Sequence, residues 1–165
     1  MLNEMNIVRV DYNNPQHAAD LLLLLDHYAR DPMGGGQPLN EWTKSNLVTA
    51  LSQRHDAISL LGYIDDQPVA LLNAFEGFST FKCQPLINIH DVVVLNQFRG
   101  KHLAALMFNA LEVIADERNC CKLTLEVLSA NTSAQRLYQR LGFTAYELDP
   151  QAGQALFWEK SLTEK

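Results

Sequence analysis

The chain has 165 residues, of which 47% are apolar and 19% are charged, and its formal net charge at neutral pH is −6. A chain of this length and composition can form one globular core without needing a disulfide or a metal in order to fold. Nucleic-acid binding depends on lysine and arginine neutralising phosphates, so the acidic balance argues against it. We therefore expect a single domain over residues 1–165 with no nucleic-acid partner.

The cysteines and the N-terminal segment indicate the compartment. Cys83, Cys120 and Cys121 form neither a disulfide framework nor a C-x-x-C motif, which favours a reducing cytoplasm and no metal site. The apolar run 21–25 is far shorter than the roughly 20 residues that a membrane-spanning helix needs. Residues 1–11 lack the basic cluster and apolar core of a signal peptide, so we expect a cytoplasmic protein with no membrane partner.

The first half of the chain predicts a strand, two helices and a hairpin. A strand is expected over 7–10, followed by a helix over 16–30. The second helix, over 40–54, has an apolar stripe of Trp42, Leu47, Ala50 and Leu51. Two β-rich runs, at 57–64 and 69–75, flank the sequence Asp-Asp-Gln-Pro, which is typical of a hairpin.

The second half begins with the most apolar extended run, residues 86–95, which predicts a central strand buried on both faces. A helix is expected over 101–118 and a strand over 122–128. The stripe of that helix comprises Leu103, Met107, Ala110, Leu111 and Ile114, widened by Leu106 and Val113.

A final helix is predicted over 132–141, followed by two closing strands at 143–146 and 155–161. Thr132 and Gln135 have the spacing of a capping box, and Gly142 is the expected left-handed stop. Asp149-Pro150 and Gly153 separate the closing strands. Together these elements predict an α/β fold, a mixed sheet with helices on both of its faces.

The junction before the third helix, Gln97 to Ala104, has the character of an anion site. A glycine and free backbone amides at the start of a helix attract negative charge, and Arg99 and Lys101 add positive charge there. Leu95 and His102 stand where a P-loop needs Gly and Ser or Thr, so that motif is excluded. From the loop alone, the alternative is a plain turn with solvated cations.

Two motifs, in the right order, resemble the GNAT superfamily, the Gcn5-related N-acetyltransferases that move an acetyl group from acetyl-CoA to an amine. The first is the acyl-CoA loop, Gln or Arg, two residues, Gly, one residue, Gly or Ala; Gln97 and Gly100 match it and His102 departs from it. The second is N-x-x-A-x-x-L-Y-x-x-L-G-F, which the segment from Asn131 to Phe143 matches without a substitution. The resemblance covers essentially the whole chain.

The resemblance implies a mixed, mostly antiparallel sheet of six to seven strands with about four helices. It implies that strands 86–95 and 122–128 splay apart around the pantetheine of acetyl-CoA, and that Asn131 touches the cofactor arm. The residues expected to bind the donor through the main chain or the loop are Val92, Val93, Val94, Gln97, Arg99, Gly100, Lys101, His102, Leu103 and Ala104.

Transfer to an amine needs a base for the nucleophile, a donor for the oxyanion and a proton for the thiolate. The resemblance places Tyr138 near the sulfur as the acid; otherwise it is a core tyrosine. His90 is the preferred base, with Glu126 or a water chain as alternatives. Asp91 faces away from His90 in a regular strand, so the two do not act together unless a bulge intervenes. A strand amide near Val92 is expected to hold the oxyanion.

The acceptor in this family is held by the first two helices, their connecting loop and the C-terminal strands. That loop is 31–39 here, and its three glycines, 34–36, allow it to move. Residues 1–82 carry 5 Lys and Arg against 10 Asp and Glu, a net charge of −5 that either favours a cationic acceptor or only keeps the surface solvated. Trp42, Tyr28 and Phe78 either line the pocket or pack in the core.

We therefore expect an acetyl-CoA-dependent N-acetyltransferase acting on a small polyamine-, arylalkylamine- or amino-acid-like molecule. The alternatives are a non-catalytic acyl-CoA-binding or regulatory domain and a protein N-acetyltransferase. A homodimer is also left open, because many members of the superfamily pair through edge strands.

Overall fold

The computed structural model of the chain describes residues 4–147, 149 and 151–162. Contacts divide the chain into two compact units, Met1–Leu125 and Glu126–Lys165. The first unit contains the sheet and three helices, and the second contains one helix. No helix in the described ranges is both long and apolar enough to cross a membrane.

The first unit is built on a five-stranded sheet in the order β1-β2-β3-β4-β5. Strands β1 to β4 pair antiparallel, and the short β5 pairs parallel to β4. The strands are β1 (Asn6–Arg9), β2 (Ala57–Ile64), β3 (Gln67–Ser79), β4 (Gln84–Val94) and β5 (Leu123–Leu125). The helices are α1 (Pro15–Arg30), α2 (Glu41–Ser52), α3 (Leu103–Glu117) and, in the second unit, α4 (Thr132–Arg140). The α/β fold, the hairpin and the four helices are therefore confirmed.

Helices of the first unit cover both faces of its sheet. On one face α1 and α2 pack against a core that includes Leu21, Leu24, Leu51, Leu61 and Leu71. On the other face lies α3, whose Met107 Sδ is 3.2 Å from the position a Cβ on Gly62 would take. Because side chains alternate along β2, Leu61 and Gly62 point to opposite faces. The central strands are thus buried between two helical layers.

The prediction of six to seven strands is wrong for the described residues, because neither closing strand forms. Beside the segments 143–146 and 155–161, the structure has an isolated bridge between Glu147 and Gln154 and a hydrogen bond from the Ala155 N–H to the Tyr146 carbonyl, at 3.1 Å. A two-stranded ribbon without a third strand or a packed face is marginal in water. Pro150, the predicted separator, lies outside the described residues.

Two predicted helix stripes need correction. Trp42 is 75% exposed, and α2 packs through Leu47, Val48 and Leu51, so its buried face starts more than a turn later than expected. On α3, Leu106 and Val113 are exposed, whereas Phe108 is fully buried. Residues 107, 108, 111 and 115 share the covered side, because a helix repeats every 3.6 residues.

Candidate functional site

Strand β4 carries a bulge at His90. Asn73 of β3 pairs with Asp91, and the next residue, Ala74, pairs with Ile89, so His90 has no partner in the ladder. An extra residue of this kind interrupts the alternation of side chains. The predicted β4 strand is therefore present, but it is not buried on both faces throughout, since His90 is exposed.

The bulge brings His90 and Asp91 to the same face of the sheet. The His90 ring lies edge-on to Phe75, with the ring centroids 4.7 Å apart, and Asp91 accepts a hydrogen bond from Asn73 Nδ2 at 3.0 Å. Phe75 and Asn73 are two residues apart on β3 and share the face covered by α1 and α2. The sequence predicts that the two side chains face apart unless a bulge intervenes, and the structure contains that bulge.

A chain of hydrogen bonds crosses the sheet and ends at Asp91. Tyr12 Oη donates to Ser59 Oγ at 2.9 Å, Ser59 Oγ donates to Asn73 Oδ1 at 2.6 Å, and Asn73 Nδ2 donates to Asp91. Ser59, Asn73 and Asp91 are direct register partners on β2, β3 and β4. Sequence reasoning missed this row, although polar residues at 59 and 73 inside apolar strands were a signal for it.

The electrostatic surroundings of Asp91 are unusual for a carboxylate. Desolvation raises its pKa above the ordinary value, while the hydrogen bond from Asn73 and the neighbouring His90 act in the opposite direction. On α1, burial raises the pKa of the Tyr28 phenol, and the charges of Asp91 and Asp31 raise it further. The negative charges of both carboxylates therefore act on the half-buried Tyr28 phenol.

Beyond the bulge, β4 loses one of its two neighbours. Pairing with β5 covers Ile87–Ile89 and stops there, whereas pairing with β3 continues to Val94. In the part of the chain that the structure describes, Val92–Val94 therefore pair with a strand along one edge only. Main-chain groups on the other edge are the kind that bind an extended amide-containing ligand.

The loop after β4 folds into an anion-binding shape at the start of α3. A short 3-10 turn at Asn96–Phe98 leads to Gly100, with φ at +77°, and His102, with φ at +61°. The Leu106 N–H donates to the His102 carbonyl at 3.3 Å, which leaves the amides of 103–105 ahead of the helical hydrogen bonds. No side chain caps this helix start, among the residues described.

Arg99 and Lys101 flank this loop in different ways. Arg99 Nε donates to the Val94 carbonyl at 3.1 Å, and its Nη2 lies 3.3 Å from Asp31 Oδ2. Lys101 Nζ stands 5.2 Å from the centre of the Phe98 ring. Arg99 thus ties the loop to the end of α1, while Lys101 remains exposed above Phe98.

The connection after α1 is an ordered turn. Asp31 Oδ1 accepts from the Met33 N–H at 2.9 Å, and the Gly34 and Gly36 amides donate to the Asp31 carbonyl at 2.8 and 3.0 Å. A Cβ on Gly34 would lie 2.0 Å from the Tyr28 carbonyl oxygen, so this position excludes side chains. The backbone hydrogen bond from Met33, followed by Arg99, holds the pKa of Asp31 below its usual range. Gly34 and Gly36 therefore contribute hydrogen bonds to this turn, and Gly34 fits where a side chain would not, in addition to the mobility that the sequence predicts for this loop.

In the second unit, α4 carries the second motif. Its N-cap is Asn131, whose Oδ1 accepts from the Ala134 N–H at 3.2 Å, and Gln135 Nε2 donates to the Leu128 and Ser129 carbonyls. The predicted capping box of Thr132 and Gln135 is therefore wrong by one residue. Tyr138 is half-buried, with its ring 6.0 Å from that of Phe143. Gly142 has φ at +89°, which confirms the left-handed stop.

The remaining candidate site residues, Trp42, Phe78 and Glu126, are exposed. Trp42 and Phe78 are largely exposed, and Glu126 is exposed at the start of the second unit. Across the described residues, no group of three or more His, Cys, Asp or Glu side chains is arranged to hold a metal ion. In the first unit, the residues brought together are His90 and Asp91 at the bulge and the loop 97–104 after the same strand.

The loop fits the phosphates of an acyl-CoA. Its amides lead into a helix start, its two cations are exposed, and a Cβ built on Gly100 would meet nothing within 4 Å. His102, where the first motif has Gly or Ala, is also exposed, so its side chain does not fill the loop from inside. The residues present are compatible with an anionic donor at this position.

Comparison with known proteins gives the same family on independent grounds. A possible acetyltransferase from Clostridium difficile 630 is 19% identical with a TM-score of 0.77, covering 99% of this chain and 100% of that one. An integron cassette protein from V. cholerae is 20% identical with a TM-score of 0.76, covering 94% and 93%. An aminoglycoside N-acetyltransferase in complex with CoA is 17% identical with a TM-score of 0.72, covering 95% of each chain. These likenesses show the fold, and a family model described as Acetyltransferase (GNAT) family matches residues 21–143, so the chain belongs to the GNAT acetyltransferases.

Proposed function

We propose that the protein is an acetyl-CoA-dependent N-acetyltransferase, one catalytic domain over residues 1–165, that acetylates a small primary amine by direct attack. The observation that carries the proposal is the loop after β4, which contains two left-handed residues and leads into a helix start. Among the described residues no side chain caps that helix start, and the end of β4 pairs with a strand along one edge only. That arrangement suits a ligand with a phosphate at one end and amides along its length. The aminoglycoside N-acetyltransferase bound to CoA supports the same donor.

For the donor, we assign binding of the pyrophosphate to the loop after β4, through its main-chain amides and its two cationic side chains. The residues assigned are Gln97, Arg99, Gly100, Lys101, His102, Leu103 and Ala104. The main chain of Val92, Val93 and Val94 would bind the pantetheine amides. Asn131 uses Oδ1 as a helix cap, and its Nδ2 donors remain for the cofactor arm. The thioester of acetyl-CoA supplies the activated acyl group.

For the chemistry, we assign proton removal from the acceptor to His90 and protonation of the leaving thiolate to Tyr138. The amine nitrogen forms a bond to the thioester carbonyl carbon, the C–S bond breaks, and sulfur keeps the electron pair and takes a proton. His90 is exposed at the bulge, and a neutral imidazole has a ring nitrogen that accepts a proton, which suits a base. Glu126, or water, remains the alternative base, and a Val92 amide the oxyanion donor.

The donor assignment is tested by thermal unfolding with acetyl-CoA and with CoA. A ligand that binds only the folded state raises the melting temperature in proportion to the logarithm of its concentration. We expect both compounds to raise it. If neither shifts the melting temperature at millimolar concentration, the proposal fails.

The acid is tested by Tyr138→Phe, with Tyr146→Phe, a more exposed tyrosine of the second unit, as the matched control. Loss of a positioned acid reduces turnover by about 100-fold. We expect that loss in kcat for Tyr138→Phe, an unchanged melting-temperature shift with acetyl-CoA, and no comparable loss for Tyr146→Phe. Equal turnover in the two variants would remove Tyr138 from the mechanism.

His102 favours a second candidate function, a non-catalytic acyl-CoA-binding domain, because a larger side chain stands where the motif has Gly or Ala. That candidate requires donor binding without CoA release over a broad panel of amines. Acetylation of a peptide in preference to every small amine would instead support a protein N-acetyltransferase.

A further inference from the structure

The carboxylate of Asp91 is desolvated and, in the part of the chain that the structure describes, it forms no ion pair with a lysine or arginine. Asp26, Asp31 and Asp56 each form an ion pair with an arginine. Buried Asp20 instead accepts hydrogen bonds from Tyr63 Oη at 2.8 Å and Gln16 Nε2 at 2.9 Å. Asp91 is desolvated, yet among the described residues only its Oδ2 is engaged, by the Asn73 amide.

The direction of the hydrogen-bond chain follows from what each group can do. An ionised carboxylate only accepts, so Asn73 must turn its NH₂ toward Asp91 and its Oδ1 toward Ser59. Ser59 must then donate to Asn73, and its oxygen accepts from Tyr12. Every donor in the chain therefore points to Asp91, which is the polarity that an anion at its end requires.

The surroundings of the Asp91 carboxylate suit an organic cation. The bulge places the His90 imidazole on the same side, and the Phe75 ring packs against that imidazole. Tyr28 of α1 is close enough for the Asp91 charge to act on its phenol. A desolvated carboxylate beside aromatic rings, with no lysine or arginine paired to it among the described residues, is suited to bind an alkylammonium group.

We infer that Tyr12, Ser59 and Asn73 position the Asp91 carboxylate as the anchor for the acceptor's ammonium group, which makes the substrate a cationic amine. This rests on the proposed function, in which His90 then removes the proton from the anchored nitrogen. Asp91 touches the substrate, whereas Asn73, Ser59 and Tyr12 are positioning residues that act through it.

Asp91→Asn tests the anchor, with Asp20→Asn as the matched control because Asp20 is also a hydrogen-bonded carboxylate on the side of α1. Removing one partner of a desolvated charge pair weakens binding by about 30-fold or more. We expect Asp91→Asn to raise KM for primary amines by that factor with acetyl-CoA binding unchanged. Asp20→Asn should lower stability without a comparable rise in KM.

Tyr12→Phe and Asn73→Ala test the positioning chain, with Tyr63→Phe as the control that removes a hydroxyl bonded to a different carboxylate. The readout is the carboxyl ¹³C titration of Asp91 in the free enzyme, assigned by its absence in Asp91→Asn. We expect Asn73→Ala to raise the pKa of Asp91, Tyr12→Phe to raise it less, and Tyr63→Phe to leave it unchanged. The titratable residues that face Asp91 are His90 and Tyr28, and all three variants retain both.

The ligand is tested with propylammonium against propanol, its neutral isostere, in the presence of CoA. Propylammonium should shift the Asp91 resonance and lower the pKa of Asp91, and propanol should do neither. Equal effects of the two compounds, no effect of either, or an Asp91→Asn variant that behaves like Asp20→Asn would overturn the inference. If acetyl-CoA does not raise the melting temperature of the wild-type protein, the proposed function itself fails. The two failures are therefore distinguishable.

Discussion

His102 is held in a backbone conformation that its side chain does not favour. Its φ of +61° lies in the left-handed region, and the side chain makes no capping hydrogen bond to α3 in return. For a residue with a Cβ this conformation costs roughly 1–2 kcal/mol. The first motif has Gly or Ala here, so in this chain a larger residue occupies a backbone conformation that favours glycine.

We expect His102→Gly to raise the free energy of unfolding by about 0.5–1 kcal/mol, because relief of strain exceeds the added flexibility of the unfolded chain. Lys101→Gly is the control, since Lys101 is the exposed neighbour without a positive φ. Its replacement should lower stability through added flexibility and loss of the contact with Phe98. Urea unfolding at neutral pH measures both. A loss of stability in His102→Gly as large as in Lys101→Gly would show that the loop carries no such strain.

The bulge at His90 explains why the sequence could not place Asp91. Alternation along a strand assumes one residue for each partner, and the apolar run around β4 contains nothing that marks an extra residue. The polar row could have been noticed, because Ser59 and Asn73 interrupt strands that are otherwise apolar. Its register could not, because that depends on how three strands align.

At the scale of elements, Asp26 holds the corner between α1 and α2. Its carboxylate accepts from Arg30 Nε at 2.8 Å and from the Leu39 N–H at 2.9 Å, and Lys44 Nζ lies 3.9 Å away on α2. The hydrogen bond from Arg30, opposed by desolvation and helped by the Leu39 amide, lowers the pKa of Asp26. One carboxylate thus connects two helices and the segment between them.

We expect Asp26→Asn to lower the free energy of unfolding by about 1 kcal/mol at pH 7. Because the folded pKa lies below the unfolded value near 3.9, the stabilisation is present above that value and is lost as pH falls through the folded pKa. Urea unfolding should therefore show a difference at pH 7 that disappears near pH 2. Asp116→Asn, an exposed aspartate of α3, is the control, and a difference that persists at low pH would contradict the assignment.

Two variants at the N-terminus of α4 distinguish the observed Asn131 cap from the predicted capping box of Thr132 and Gln135. Asn131→Ala should cost about 1 kcal/mol by removing the acceptor for the Ala134 amide, whereas Thr132→Ala should change stability little. Circular dichroism and urea unfolding of the two variants decide between them. The opposite ranking would restore the capping box that the sequence predicts.

Much of the fold follows from local patterns. The bounds of α1, α3 and the β2–β3 hairpin were predicted within a few residues, because spacing and punctuation define them. The prediction of the closing strands is wrong because a strand needs a partner, and the apolar run at residues 155–158 does not indicate which strand would pair with it. For a related reason the predicted stripes wrongly include Trp42 and omit Phe108, since which face of a helix is covered depends on its neighbours.

At the scale of the whole molecule, charge is distributed unevenly along the chain. Residues 1–82 carry 5 Lys and Arg against 10 Asp and Glu, and residues 83–165 carry 8 against 9, so the net charges are −5 and −1. The exposed cations Arg99 and Lys101 belong to the second, nearly neutral half, beside the loop assigned to the anionic donor. The acidic half contains α1 and α2, the helices assigned to the acceptor.

This asymmetry predicts how salt affects the two substrates. An excess of negative charge attracts a cation over several ångströms, and the attraction weakens as the Debye length shortens from about 30 Å at 0.01 M to about 8 Å at 0.15 M. We expect KM for 1,3-diaminopropane, with two positive charges, to rise more steeply with ionic strength than KM for propylamine, with one. Initial rates of CoA release at saturating acetyl-CoA, over a range of sodium chloride concentrations, give both slopes. Equal slopes for the two amines would show that the acidic half only keeps the surface solvated and has no part in attracting the acceptor.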